Sequence, residues 1–494
     1  MCCYQGKISL PALEEPPLDY MKLLTDQDPV ANSFRQLIRT YNSALAMTSV
    51  GRHLDSTVND GLGPWTFKLH GELIHQAGSL LPAIDTPPVY SQLYIYDNAS
   101  ALSYRMAHRA NELLDPDTLA TLQNMLHTKH PGVDLYRQAL ELTANMPLDQ
   151  QCRIALRFDQ STDRRRYQPP DASVKEIAVL LPGDGDHPAD TQDIILYRKR
   201  GPPLQRIRDD HPFYPALRYV LLFPTGQLGW HSKIPYNLLE DEPPVQPDGD
   251  QPQPERQSRK YVSMDEFFRY RLHIRPIHIE SIHLFLTGNL FQEYVCEAWA
   301  VTEQKRLCQL AAKQDDLRAD LYQGLVDSVA ANADGSVHEL GKRIILPSSF
   351  VGGTRNMQQH CQDALAINRY FGGGDLFVTM TANPKWPEIS DNLLYGQTTS
   401  DRPDLVVRVF HAKLRALIDD IKDGVFGDMA GYLYTIEFQK RGLPHAHIII
   451  FLKPHAKLRT PDQIDSLMSS EFPRFDDQLL ALIQQFMVHS PCNR

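Results

Sequence analysis

Cysteine is scarce in this sequence and follows no pattern. The seven cysteines among 494 residues (Cys2, Cys3, Cys152, Cys296, Cys308, Cys361 and Cys492) are odd in number and scattered, and no C-x-x-C pair occurs. That argues against a disulfide framework and predicts reduced thiols in an intracellular protein. An excess of positive charge is also missing. The formal net charge of -10 excludes a protein that coats nucleic acid through a global field, so any DNA contact requires a local basic groove. No apolar run is long enough to span a bilayer. The first residues, Met1-Cys2-Cys3-Tyr4-Gln5-Gly6, lack the charged-then-apolar order of a secretion signal. Gly352-Gly353-Thr354-Arg355 is a loop suited to close backbone approach, but no Gly-Lys-Ser/Thr follows it. This portion is therefore not expected to bind a nucleoside triphosphate.

What is present fits a chain of two or three domains, since the length exceeds one ordinary core. Residues 1–60 read as an extended segment broken by Pro11, Pro16 and Pro17, then a helix from about Ala31. Phe34, Leu37, Ile38, Tyr41 and Leu45 fall at helical spacing, and Gly51 is a possible stop. Residues 61–239 read as a mixed, partly β-rich accessory region. Helices are expected over Ser103–Leu114 and Thr118–His130, with Asp115 or Asp117 as a cap and Pro131-Gly132 as the stop. Strands are expected over Arg153–Asp159, Glu176–Leu181 and Asp193–Arg198. The run Asp163–Tyr167 could touch a DNA backbone or be a solvated loop. Residues 240–260 are rich in Pro, Asp, Glu and Gln and read as an exposed linker.

Residues 261–494 read as the second domain. Phe267–Arg275 combines aromatics with Arg271 and Arg275, which suits either DNA stacking and phosphate contact or an amphipathic lead-in to a core. A long helical region follows over His283–Gln323, with Gly288 as a possible interruption. Arg343–Phe350 reads as a strand, and Gln358–Tyr370 as a helix ended by Gly372-Gly373-Gly374. Leu376–Thr381 reads as a buried strand. Leu405–Ile421 reads as a helix whose apolar face (Leu405, Val409, Leu414, Leu417, Ile421) covers a sheet. Helices are also expected over Pro461–Ser470, capped by Thr460, and over Leu479–Met487.

The most informative stretch is Gly431–Leu452, GYLYTIEFQKRGLPHAHIIIFL. It has the pattern of a β-hairpin. Alternation runs through Tyr432–Gln439, Lys440–Pro444 carries turn chemistry with Gly442 free to adopt positive φ, and a second strand runs from His445. Alternation puts His445 and His447 on one face, and Glu437 and Gln439 also share a face. If the register brings these faces together, two imidazoles meet a carboxylate and an amide oxygen, a half-shell for a divalent cation. A histidine-triad hydrolase would need a third histidine where Ile449 stands.

The phrase EFQKRGLPHAHI resembles the HUH motif of Helitron transposases, the rolling-circle transposons whose initiator is a metal-dependent single-strand nuclease. The N-terminal wording, CCYQGKISLPAL and FRQLIRTYNSALAMTSVG, and the stretch HPFYPALRYVLLFPTGQLGW resemble the same family. The resemblance implies an α+β protein whose second half is an HUH-type antiparallel sheet with flanking helices. It implies His445 and His447 as ligands of Mg²⁺ or Mn²⁺, with Glu437 or Gln439 as the third. Ala446 is small where HUH enzymes at large are bulky, as Helitron-like sequences allow. Asn383, Lys385 and Trp386 are implied to lie near the DNA path, Trp386 with core packing as the alternative. Lys440 and Arg441, in the hairpin turn, join Arg271 and Arg275 as expected DNA contacts. The implied partner is single-stranded DNA, with no membrane partner, and the implied place is the nucleus. In the relatives, catalytic tyrosines lie downstream of the HUH motif, on a helix, and a helicase domain follows. No tyrosine follows Phe451 here. The chain is therefore expected to be a fragment, inactive alone; the alternative is a non-catalytic DNA-binding remnant of a transposon.

Overall fold

Three hydrophobic clusters pack among the described residues, two in one compact unit and one in the other. The structure, a computed structural model, describes residues 3–4, 6–54, 69–77, 81–82, 86–143, 153–158, 176–181, 194–197, 205–207, 212–237, 260–276, 279–312, 346–439, 442–468 and 471–487. The first unit comprises Met1–Ile345 and Pro387–Leu405, and the second Leu346–Trp386 and Val406–Arg494. This division differs from the boundary expected at 240–260. Residues such as Phe285, Leu290 and Tyr294 pack into the core of the first unit. The linker 240–259, the run Asp163–Tyr167, and Lys440 and Arg441 lie outside the described residues.

In the first unit, α1 (Leu18–Thr25) starts after Pro17, and α2 (Pro29–Leu45) is capped by Asp28, whose Oδ1 accepts the Ala31 N–H at 2.9 Å. The expected stripe of α2 is inside: Phe34, Ile38, Tyr41 and Leu45 are buried. The helix ends earlier than Gly51, because the chain turns into β1 (Ser49–Leu54), which pairs antiparallel with β2 (Leu69–Ala77). Helix α3 (Asn98–Ala107) begins before the expected Ser103. Asp115 rather than Asp117 caps α4 (Pro116–Lys129), and Pro131 opens a further helix, α5 (Pro131–Thr143). The predicted strands form as β3 (Arg153–Phe158), β4 (Glu176–Leu181) and β5 (Ile194–Tyr197); β3 runs parallel to β4 and antiparallel to β5. β6 (Gln205–Ile207) adds to β2. The segment around α6 (Tyr214–Arg218) threads the core, burying Phe213 and Leu217 through Phe223. α7 (Met264–Arg271) carries a Ser263–Glu266 capping box. The expected long helix is split at Gly288 into α8 (His283–Leu286) and α9 (Asn289–Ala312).

The buried charge of this core includes two groups built on Glu293 and Glu280. Glu293 on α9 accepts from Arg39 at 2.6 Å and from Arg218 at 2.8 Å, and Glu297 one turn on accepts from the Tyr219 hydroxyl. Burial pushes the Glu297 carboxyl above its usual range. Glu280 is bracketed by Arg271 at 2.8 Å and Arg275 at 2.9 Å, and also accepts the Leu13 N–H at 3.1 Å. Pairing and hydrogen bonding are the conditions under which such charges tolerate burial.

The second unit is the α+β module expected of the second half. Residues 346–350 are turn rather than strand. α10 (Thr354–Phe371) ends at Gly372, whose φ of +75° is the left-handed C-cap that glycine adopts without strain. β7 (Leu376–Thr381) follows, then α11 (Pro403–Lys422), β8 (Met429–Phe438), β9 (Pro444–Leu452), α12 (Pro461–Leu467) and α13 (Asp477–Phe486). Thr460 and Gln463 form the capping box of α12. The sheet order is β7-β9-β8, antiparallel throughout. Ala446, Ile448 and Ile450 of central β9 face a core built with Phe410, Leu414, Ile418 and Ile421 of α11. The face of α11 is rotated from the expected one: Val406 and Phe410 are buried in place of Leu405 and Val409. Among the described residues no helix is long and apolar enough to cross a membrane.

Candidate functional site

The face of the small sheet opposite α11 is set by the alternation of β9. With Ala446 and Ile448 inside, His445 and His447 project from the other side. Register supplies their neighbours. Thr381 on β7 and Glu437 on β8 stand opposite His445, while Thr379 and Thr435 stand opposite His447. The row is therefore threonine, histidine, then a polar β8 residue, twice over.

The two imidazoles lie 5.8 Å apart between ring centroids and nearly parallel, at 27°. Phe377 extends the stack, 5.6 Å from His447 at 14°. Thr381 Oγ1 is 2.7 Å from His445 Nδ1, and Thr379 Oγ1 is 3.2 Å from His447 Nδ1. The Nε2 edges meet β8 and the turn: Glu437 Oε2 is 3.7 Å from His447 Nε2, and the Gln439 amide touches His445 Nε2. Gln439 is held by the turn, donating its N–H to Leu443 O at 3.0 Å and accepting from Gly442 N–H at 2.8 Å. Gly442 takes φ of +78°, the conformation this turn requires.

These donors suit a hard or borderline divalent cation. Two ligand atoms each about 2.1 Å from one ion, about 120° apart, are roughly 3.6 Å from one another, close to the Nε2–Oε2 separation here. Turning the Gln439 amide over offers its oxygen in place of its nitrogen. Among the described residues no group of three or more His, Cys, Asp or Glu side chains is gathered as a ready cluster. The reason is visible in the geometry: the carboxylate stands beside one imidazole and the amide beside the other. Glu437 thus neighbours His447, and Gln439 neighbours His445.

The turn after β7 lies against this site, because Ala382 N–H continues the ladder to Pro444 O at 3.0 Å. Asn383 Oδ1 accepts the Lys385 N–H at 2.9 Å, which shapes the turn and leaves the Lys385 side chain exposed. Trp386 is half-buried on the α11 core, with Lys413 Nζ 5.1 Å from its ring centroid. Arg271 and Arg275 are elsewhere, in the first unit. Arg271 is 4% exposed and paired with Glu280, and Arg275 stacks 3.5 Å over Tyr270 while donating to Tyr270 O. The amphipathic lead-in to a core, rather than a DNA-facing surface, describes that segment. Thr379, Thr381 and Phe377 were not singled out from sequence. Their alternation in LFVTMT is legible, but nothing local says which strand they flank.

Residues 267–450 match the family model described as the Helitron helicase-like domain at the N-terminus. No curated protein matches the chain. The matched segment runs from Phe267 on α7 to Ile450 on β9 and so includes the whole histidine face. Residues 267–450 are thus similar to a Helitron helicase-like N-terminal domain.

Proposed function

We propose that the domain nicks and joins single-stranded DNA in a metal-dependent reaction of rolling-circle transposition. His445 and His447 would hold Mg²⁺ or Mn²⁺ through Nε2, with Glu437 and Gln439 as the oxygen ligands. The observation that carries this reading is the shared face on which His447 Nε2 stands 3.7 Å from the Glu437 carboxylate and His445 Nε2 meets the Gln439 amide. A cation bound there supplies polarisation of a non-bridging phosphate oxygen. The protein's own groups supply position. Lys385, exposed on the turn after β7, would pair with a neighbouring phosphate, and the half-buried Trp386 would stack on a base. Attack by a tyrosine hydroxyl, which the family resemblance implies, needs the phosphate held in line at about 3–3.5 Å. Holding it is the task of the histidine face.

The test is calorimetric titration of Mn²⁺ into the full chain and into the His445→Ala/His447→Ala variant. Saturable binding in the wild type that vanishes in the variant supports the reading. Equal affinity in both refutes it and leaves DNA binding without metal chemistry, which a labelled single-stranded oligonucleotide would then report.

A further inference from the structure

We infer that strand β7 is the positioning element of the histidine pair: the hydroxyls of Thr379 and Thr381 hold the Nδ1 edges, so that both rings present Nε2 to Glu437 and Gln439. The inference rests on the metal-binding reading given above for what the Nε2 edges do, but not for how the rings are held.

Register makes the arrangement possible. Thr379 pairs with His447 and Thr381 with His445, and same-face neighbours directly across an antiparallel pair stand close enough for short side chains to meet. The hydroxyls approach the same ring nitrogen in both histidines, at 3.2 and 2.7 Å. A ring with two nitrogens can turn over, and a bond at Nδ1 decides which nitrogen faces outward. A threonine hydroxyl can donate or accept. It therefore holds Nδ1 in the metal-free state and can accept an Nδ1–H when Nε2 is engaged. Phe377, stacked on His447 and 66% exposed, limits the tilt of that ring from the side away from His445. Threonine also suits the strand, so its presence there is not in itself a signal. The signal is two threonines meeting two histidines at the same atom.

The experiment uses the full chain with ¹⁵N-labelled histidine, and the variants Thr381→Val, Thr379→Val, Thr381→Ser and Thr379→Ser. Valine keeps the β-branch and removes the hydroxyl; serine restores the hydroxyl without the methyl. In the metal-free chain, the Nδ1 resonance of His445 is expected to move in Thr381→Val and return in Thr381→Ser, with the same pattern for His447 and Thr379. Mn²⁺ affinity, read by calorimetry, is expected to fall about 10- to 100-fold in each valine variant and recover in serine. Unmoved Nδ1 resonances in both valine variants overturn the inference, whatever the metal does. Resonances that move and recover while the wild type binds no Mn²⁺ uphold it, and sink the metal reading instead.

Discussion

Acid should unfold the first unit through two buried histidines. His130 and His283 are enclosed and bonded at both nitrogens. His130 Nδ1 accepts the Gly132 N–H at 3.1 Å, so its Nε2 carries the proton and donates to Ala216 O at 3.1 Å. His283 Nε2 meets Leu222 O at 2.9 Å, and its Nδ1 meets Ser281 Oγ at 2.9 Å. A second proton on His130 would have to displace the Gly132 N–H. Burial lowers both pKa values to about 4, against the opposing pull of the backbone carbonyls. The unfolded chain takes up these protons near pH 6.5, the folded one only near pH 4. Stability is therefore whole above about pH 6.5 and is lost as pH falls toward 4. At about pH 5 the loss is about 2 kcal/mol for each histidine, or roughly 4 for the pair, a large share of a typical domain's stability. Guanidinium unfolding followed by the fluorescence of buried Trp230 gives the measurement. The His130→Gln variant, less stable than wild type near neutrality, should lose about 2 kcal/mol less between about pH 7.5 and about pH 5. Parallel pH curves for the two proteins, within about 0.5 kcal/mol, would show that His130 does not carry the effect.

Glu293→Gln, which leaves Arg39 and Arg218 sharing one neutral amide, is expected to cost about 3–5 kcal/mol in urea unfolding of the first unit. Ile448→Ala, at a fully buried position of the central strand, should destabilise the second unit by about 2–5 kcal/mol, measured by denaturation with Trp386 fluorescence. Trp386→Ala should weaken binding of a labelled single-stranded oligonucleotide about tenfold or more, the value of one lost base stack. Unchanged affinity in a variant that circular dichroism shows to be folded would make Trp386 a core residue alone.

Much of the local structure is legible in the residues, because its causes lie within one turn or one strand. Asp115 and Thr460 cap helices through bonds to residues three positions on. Alternation in Gly431–Leu452 predicts the hairpin, the shared side of His445 and His447, and the turn at Gly442. What the tertiary structure decided is which distant groups meet. Arg271 and Arg275 look alike to a reader expecting phosphate contacts. Burial of Glu280 demands paired cations, and both arginines serve it. Glu293 finds Arg39 at a separation of 254 residues, a choice no local pattern encodes. The face of α11 follows the same rule: several apolar stripes fit its sequence, and the core shared with β9 selects Phe410 and Ile418. At the candidate site the histidines are read from alternation, while the threonines that meet them come from strand pairing across 64 and 68 residues. Alternation is a property of one strand and register a property of two, and only the folded sheet contains the second.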